Sequence, residues 1–127
     1  MKGMVFGVFD GFHEGHRHFL SEASKGCNAL VVVVATDTAA RALKGHVPRH
    51  ALAERIEAVK EFLPGAEVVA GDDETGSWKV LSAYAPDIVI LGYDQDALAE
   101  EMKRRSVPHT YLSAYEPERF KSSLLNG

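Results

Sequence analysis

A run of five apolar residues, Leu30–Val34, constrains the fold more than any other feature of the sequence. Four of the five are valine, whose branched Cβ favours a β-strand. A strand with one face in water would alternate apolar and polar residues, so this strand is predicted to be buried on both faces. Burial on both faces is typical of a parallel sheet that is covered by helices on its two sides.

The rest of the chain alternates extended and helical patterns around this strand. Apolar stretches predict four more strands, at residues 4–9, 66–70, 88–91 and 107–112. Amphipathic or capped stretches predict helices at residues 14–25, 37–41, 51–63, 77–85 and 96–105. Because parallel strands need crossover connections, this order predicts an α/β fold: a Rossmann-like, doubly wound sheet of about five parallel strands with helices on both faces. Ligands of such sheets bind beyond the carboxyl ends of the strands, so functional residues are expected just after the strands.

Length and composition exclude several classes of protein. The 127 residues, 46% of them apolar and 25% charged, fit one globular domain, residues 1–127. The net charge of −4 argues against a general nucleic-acid binder, and no apolar run is long enough to span a membrane. Met1–Met4 lead directly into the first strand, and Cys27 is the single cysteine. We therefore expect a cytoplasmic protein without a secretory leader or an intrachain disulfide.

Two histidines, His13 and His16, follow the first predicted strand, with Gly15 between them. They straddle the predicted start of a helix, where unpaired backbone N–H groups and the helix dipole attract anions. Both rings can donate to phosphate oxygens from the same side, and Gly15 would let a phosphate approach the backbone closely. A surface helix with incidental histidines remains an alternative. A zinc site is disfavoured, because the spacing supplies no third ligand.

The pattern Gly7-x-Phe9-Asp10-x-x-His13-x-Gly15-His16 resembles the signature of the cytidylyltransferase-like nucleotidyltransferases. The resemblance extends along most of the chain. Lys44-Gly45 and the later Ala53-Glu54-Arg55-Ile56 resemble the family's substrate-loop lysine and helix arginine. Gly92-Tyr93-Asp94-Gln95 is similar to the loop after its fourth strand, in the wording of the archaeal FAD synthetase branch. Lys121-Ser122-Ser123 stands where the family has a phosphate-binding Ser/Thr motif.

The resemblance implies that the protein transfers a nucleoside monophosphate from CTP or ATP to a phosphorylated small molecule and releases pyrophosphate. His13 and His16 would hold the triphosphate and stabilise charge at the α-phosphate. Lys44 would bridge the two substrates at the α-phosphate, and Arg55 would bind a phosphate oxygen. Transfer of this kind depends mainly on positioning and on neutralising negative charge, which suits these residue types.

The remaining residues of the motifs are predicted to bind the nucleotide. The set comprises Gly7, Phe9, Asp10, Gly15, Gly92, Tyr93, Asp94, Lys121, Ser122 and Ser123. Mg²⁺ is expected to accompany the triphosphate, held largely by its own oxygens. Asp10 is the best candidate for a protein ligand to the metal, against the alternative that it stabilises a turn. The resemblance also implies a homodimer.

Several points stay open at the level of sequence. The nucleotide base and the acceptor are not fixed by these motifs. A catalytically silent nucleotide-binding module is the main alternative to an enzyme, although joint retention of His13, His16, Lys44 and Arg55 favours the enzyme. A dinucleotide-dependent oxidoreductase is disfavoured, because no Gly-x-Gly-x-x-Gly follows the first strand. His50 is assigned to the surface.

Overall fold

Five parallel strands form one sheet in the computed structural model, which describes residues 1–72, 77–92 and 95–112. The strands are β1 (Lys2–Gly7), β2 (Ala29–Val34), β3 (Glu67–Ala70), β4 (Ile88–Leu91) and β5 (His109–Tyr111). The helices are α1 (Glu14–Lys25), α2 (Asp37–Lys44), α3 (Leu52–Phe62), α4 (Lys79–Tyr84) and α5 (Asp96–Arg104). No helix of the described residues is both long enough and apolar enough to cross a membrane.

The order of the strands, β3-β2-β1-β4-β5, makes the sheet doubly wound and confirms the predicted fold class. From β1 the chain proceeds outward through β2 to β3, and then returns to the other side of β1 for β4 and β5. The order therefore reverses between β1 and β4, which pair in parallel through Gly3 with Ile88 and Met4 with Val89. That reversal is where doubly wound sheets form their ligand crevice.

The sheet buries apolar side chains on both faces, as the uninterrupted Leu30–Val34 run predicts. One face packs against α1 and α3, in a cluster that includes Val5, Leu20, Leu30, Val32, Val34 and Val59. The other packs against α4 and α5, in a cluster that includes Met4, Val31, Val33, Val80, Val89, Ala99 and Met102. Alternate valines of β2 thus serve opposite cores, which is why that strand carries no polar residue.

Several element boundaries differ from the sequence predictions, and three of the differences have an identifiable structural reason. β1 ends at Gly7, because Phe9 has a left-handed φ of 54° and is turned into the core. α2 extends to Lys44 rather than to residue 41, because Gly45 ends it in the left-handed conformation; the side chain of Thr36 caps its start by accepting a hydrogen bond from the N–H of Ala39 at 3.1 Å. α4 starts only at Lys79, because Trp78 has a φ of 50°.

Candidate active site

The predicted catalytic histidines lie just beyond the carboxyl end of β1, at the edge of the sheet where the strand order reverses. His13 is the N-cap residue of α1 and has extended backbone angles. Its Nδ1 accepts a hydrogen bond from the N–H of Gly15 at 3.1 Å, and the Nδ1 of His16 accepts one from the N–H of His13 at 3.1 Å. The two imidazoles therefore form a reciprocal capping arrangement that occupies two of the unpaired N–H groups at the start of the helix.

This arrangement fixes which ring nitrogen of each histidine carries the hydrogen. Because both Nδ1 atoms accept, both rings are neutral here with the proton on Nε2. The rings stack with centroids 3.9 Å apart and planes 19° apart. Burial is the main cause that lowers the pKa of His16 to about 4, with smaller contributions from nearby groups that include the ammonium of Lys44. His16 thus remains an uncharged hydrogen-bond donor at neutral pH.

Glycines leave room for the rings of this motif. A Cβ on Gly15 would lie 3.1 Å from Cε1 and 3.3 Å from Nδ1 of His13, so a side chain there would displace the imidazole. A Cβ on Gly7 would lie 2.6 Å from Cζ of Phe9, whose ring covers the end of β1 and packs edge-on against His16. The two glycines of the motif therefore serve side-chain packing around the histidines. Their predicted contact with nucleotide stays a prediction.

Asp10 uses both carboxylate oxygens to hold the chain that leads into α3. One oxygen accepts from the N–H of Arg49 at 2.9 Å. The other accepts from the N–H of His50 at 3.0 Å and from its Nδ1 at 2.9 Å. These hydrogen bonds lower the pKa of Asp10 to about 2, and the one from Arg49 contributes most. The carboxylate is therefore charged at neutral pH. Asp10 thus holds a distant segment of the chain rather than a local turn, and its role as a metal ligand stays a prediction.

Arg55 is fully buried and its guanidinium joins four parts of the chain. Its Nε donates to the carbonyl of His50 at 3.0 Å. One terminal nitrogen donates to the carbonyls of Val8 at 3.0 Å and Ala35 at 2.7 Å, and the other pairs with the carboxylate of Asp37 at 2.6 Å. Four of its five N–H groups are thereby engaged. A phosphate could reach Arg55 only if this network rearranged, so the predicted phosphate contact stays a prediction.

Lys44 is exposed and is the last residue of α2, which Gly45 ends in the left-handed conformation with a φ of 83°. The N–H of Gly45 returns to the carbonyl of Arg41 at 2.8 Å. The ammonium of Lys44 is close enough to lower the pKa of His16, which places a positive charge near the histidine pair. The structure therefore brings Lys44, His13 and His16 to one region.

Gly92 follows β4 on the other side of the crevice and is tied to β1 through Gln95. The N–H of Gly92 donates to Oε1 of Gln95 at 2.8 Å, and Nε2 of Gln95 donates to the carbonyl of Phe6 at 3.0 Å. One amide side chain thus links Gly92, at the end of β4, to the end of β1. The other predicted nucleotide-binding residues, Tyr93, Asp94, Lys121, Ser122 and Ser123, lie outside the described residues.

Sequence reasoning did not find the positioning roles of His50 and Gln95. Gln95 lies three residues after Gly92, and this short spacing is the one local signal for the hydrogen bond from the N–H of Gly92 to the side chain of Gln95. His50 has no such signal, because its partner Asp10 is 40 residues away. Among the described residues no group of three His, Cys, Asp or Glu side chains could hold a metal ion.

Comparison with known proteins identifies this arrangement. Residues 4–120 match the model of the cytidylyltransferase-like family. The chain belongs to the cytidylyltransferase-like family. The family match, together with curated relatives named FAD synthase, shows that it is a nucleotidyltransferase, and the resemblance inferred from the histidine motif is confirmed.

Relatives of this nucleotidyltransferase include proteins named FAD synthase in three archaea. The protein of Thermococcus sibiricus is 39% identical over 118 residues, which cover 84% of this chain and 80% of the relative. That of Thermoplasma acidophilum is 39% identical, with 83% of this chain and 72% of the relative covered. That of Methanothermobacter marburgensis is 40% identical, with 82% and 68% covered.

Solved structures agree with the fold of the family. A lipopolysaccharide core biosynthesis protein from Thermoplasma volcanium superposes with a TM-score of 0.77 at 32% identity, covering 91% of this chain and 98% of the other. A protein of unknown function from Archaeoglobus fulgidus superposes with a TM-score of 0.70 at 22% identity, covering 91% and 92%. The second likeness concerns the fold alone.

Proposed function

We propose that this nucleotidyltransferase transfers AMP from ATP to FMN, forming FAD and releasing pyrophosphate. The observation that carries the chemistry is the stacked pair His13 and His16, whose Nδ1 atoms are occupied by backbone N–H groups so that both Nε2–H groups are left to donate. The choice of ATP and FMN is supported by the relatives named FAD synthase.

The transfer is a displacement at the α-phosphorus of the triphosphate. A phosphate oxygen of the acceptor forms the new P–O bond, and the bond from the α-phosphorus to the oxygen that bridges to the β-phosphate breaks. Negative charge grows on the α-phosphate oxygens and on the departing pyrophosphate. The Nε2–H donors of His13 and His16 are fixed before the substrate arrives, so they stabilise that charge without reorganising.

Lys44 supplies the positive charge of the site in this proposal. It stands at the end of α2, on a flexible stem, and its field already reaches His16. An ammonium placed between the acceptor phosphate and the α-phosphate would offset the repulsion of two anions as they approach. The neutral histidines and the charged lysine therefore have separate tasks: the former donate hydrogen bonds, and the latter brings the anions together.

Mg²⁺ enters with the triphosphate in this proposal. The described residues do not build a site for it, since no suitable group of ligands is present among them and both oxygens of Asp10 accept hydrogen bonds. The oxygens of the triphosphate and water would hold the ion. The proposed transfer therefore requires no protein ligand to the metal.

A screen of nucleotides against acceptors tests the proposed reaction. The four triphosphates ATP, CTP, GTP and UTP are each combined with FMN, glycerol 3-phosphate and pantetheine phosphate, and pyrophosphate release is measured. We expect release with ATP and FMN, with FAD as the second product on chromatography. Riboflavin, which lacks the phosphate, is the matched control and should give no product. Turnover of CTP with glycerol 3-phosphate, and none of ATP with FMN, would replace the proposed substrates.

Two further properties belong to the same proposal, a homodimer and a cytoplasmic location. The homodimer follows from the family resemblance, and the cytoplasmic location agrees with the single cysteine, Cys27. Light scattering at tens of micromolar protein should give twice the mass of 13.9 kDa for one chain. A single species at the mass of the monomer would contradict the dimer without affecting the proposed reaction.

A further inference from the structure

His50 is held in a defined orientation by contacts at three of its atoms. Its N–H donates to Asp10 at 3.0 Å, its carbonyl accepts from Nε of Arg55 at 3.0 Å, and its Nδ1 lies 2.9 Å from the same Asp10 oxygen. Since the Asp10 carboxylate is ionised and can only accept, Nδ1 carries the hydrogen. Nε2 of the neutral ring is therefore an open lone pair, and no described residue is bonded to it.

The ring borders a hollow that adjoins the histidine pair. His50 is half-exposed, with 48% of its side chain accessible. It lines a hollow of about 160 Å³ together with Phe9, Gly11, Phe12, Glu54, Arg55 and Ala58. Phe9 and Phe12 also pack against the ring of His16, with centroids 5.4 and 5.9 Å away. The hollow and the reacting centre thus share two aromatic walls.

An imidazole whose Nδ1–H is bonded to a carboxylate is suited to take a proton at Nε2, because the carboxylate stabilises the imidazolium that forms. Asp10 and the exposed Glu54 favour that cation, whereas the guanidinium of Arg55 and the neighbouring Arg49 oppose it. A phosphate monoester loses its second proton with a pKa of about 6, so part of it still carries that proton near neutral pH.

We propose that Nε2 of His50 hydrogen-bonds the phosphate of the acceptor and shares with it the one proton that the pair carries near neutral pH. The proton leaves the phosphate oxygen for Nε2, which generates the dianion that attacks the α-phosphorus, and the imidazolium releases it to water after transfer. This role rests on the proposed function. It assigns to His50 a substrate contact that differs from those of His13, His16 and Lys44.

Two variants of His50 separate this role from simple positioning. His50→Asn keeps an N–H at the place of Nδ1 for Asp10 but has nothing at the place of Nε2, whereas His50→Ala removes both. If His50 contacts the acceptor, both variants should lose about 10- to 100-fold in kcat/KM for the acceptor, the worth of one hydrogen bond to a charged group. KM for ATP should stay unchanged in the Asn variant. Recovery of the parental kcat/KM by His50→Asn would overturn the proposal and leave a positioning role.

The pH profile gives a second readout that a positioning role would not move. With one shared proton, kcat/KM for the acceptor in the parent should pass through a maximum and fall on both sides. In His50→Asn it should only rise, following ionisation of the acceptor, and then level off. A parental profile of the same shape as that of His50→Asn would overturn the shared proton.

A binding measurement keeps this proposal distinct from the proposed function. Ring signals of ¹⁵N-labelled histidines are followed while inorganic phosphate is added, and His50 is assigned as the signal absent from His50→Asn. A shift of that signal supports the contact even if the parent turns over none of the substrates in the screen, which would refute the proposed function alone. No shift of that signal, while those of His13 and His16 respond, would overturn the contact.

Discussion

Two regions at the same edge of the sheet carry the residues that the sequence assigns to phosphate, and they differ in how their hydrogen-bond donors are used. His13 and His16 bind backbone groups through Nδ1 and leave Nε2–H available. Arg55 directs four N–H groups to three carbonyls and a carboxylate and has no exposed side-chain surface. The residue with the permanent charge is therefore the one whose donors are already engaged.

This difference teaches that the charge of a residue does not by itself identify a phosphate ligand. What matters is how many of its hydrogen-bond donors are not already bonded within the protein. By that measure we propose His13 and His16, rather than Arg55, as the phosphate ligands. Arg55 links the ends of β1 and β2 to the first turn of α2 and to His50. The comparison can be tested from both sides.

The largest effect is expected from Arg55→Met, and it should be on stability. Removing the guanidinium leaves buried carbonyls of Val8 and Ala35 without a partner, and such a loss typically costs about 3–5 kcal/mol in the free energy of unfolding. Urea unfolding followed by circular dichroism measures it. Lys60→Met, at an exposed position of the same helix, is the matched control and should change stability by less than about 0.5 kcal/mol. A stable Arg55→Met protein with a raised KM for ATP would instead identify Arg55 as a phosphate ligand.

The next effect is expected from His13→Asn, and it should be on rate alone. Asparagine is a good N-cap, so its side-chain oxygen can replace Nδ1 at the start of α1, but it has nothing at the place of Nε2. We expect kcat to fall about 10²–10³-fold with stability retained, since that is the usual effect of one transition-state donor. His13→Ala and His16→Ala should lose as much activity. Activity within about threefold of the parent in these variants would remove the pair from the catalytic set.

Lys44→Ala should have a smaller effect on rate and no effect on folding. If its ammonium stabilises the transition state, kcat and kcat/KM should fall together, by about 10- to 100-fold, with KM for ATP little changed. Arg41→Ala, one turn earlier on the exposed side of α2, controls for loss of positive charge. A rise of KM at constant kcat would show that Lys44 only gathers the anion, and no change in either would leave it as an ordinary surface lysine.

The smallest of these effects is expected from Gly15→Ala. The added Cβ would stand 3.1 Å from Cε1 of His13, so the ring must shift by a few tenths of an ångström, which we expect to lower kcat about tenfold. Gly65→Ala is the control, because a Cβ there meets nothing within 4 Å. The stability of both variants should stay near that of the parent. An unchanged kcat for Gly15→Ala would mean that the site tolerates a displaced imidazole of His13.

Much of the fold could be predicted from the sequence, because local pattern determines it. The Leu30–Val34 run forecasts a strand buried on both faces, and helix α1 spans the predicted residues 14–25. His13 and His16 were also predicted to straddle the start of this helix, just after the first strand, and the structure places them there. The ends of β1 and α4 were harder, because the left-handed backbone of Phe9 and Trp78 has no signal in residue type.

The hydrogen-bond network around Arg55 could not be predicted, because its hydrogen bonds connect residues far apart in the chain. Arg55 bonds the carbonyl of Val8 across 47 positions, and Asp10 bonds His50 across 40. A charged residue in an otherwise amphipathic helix predicts solvent exposure unless the partners are known. The apolar stripe of helix α3 can therefore be predicted from the sequence, whereas the burial of Arg55 in the same helix cannot.

The contact between Gly7 and Phe9 has a consequence for how this protein can change over generations. A side chain at position 7 would overlap the Phe9 ring, and that ring in turn buttresses His16. A larger residue at position 7 is therefore expected to be tolerated only together with a smaller one at position 9. We therefore expect the two positions to be epistatic, so that a path of single substitutions to a larger residue at position 7 passes first through a smaller residue at position 9.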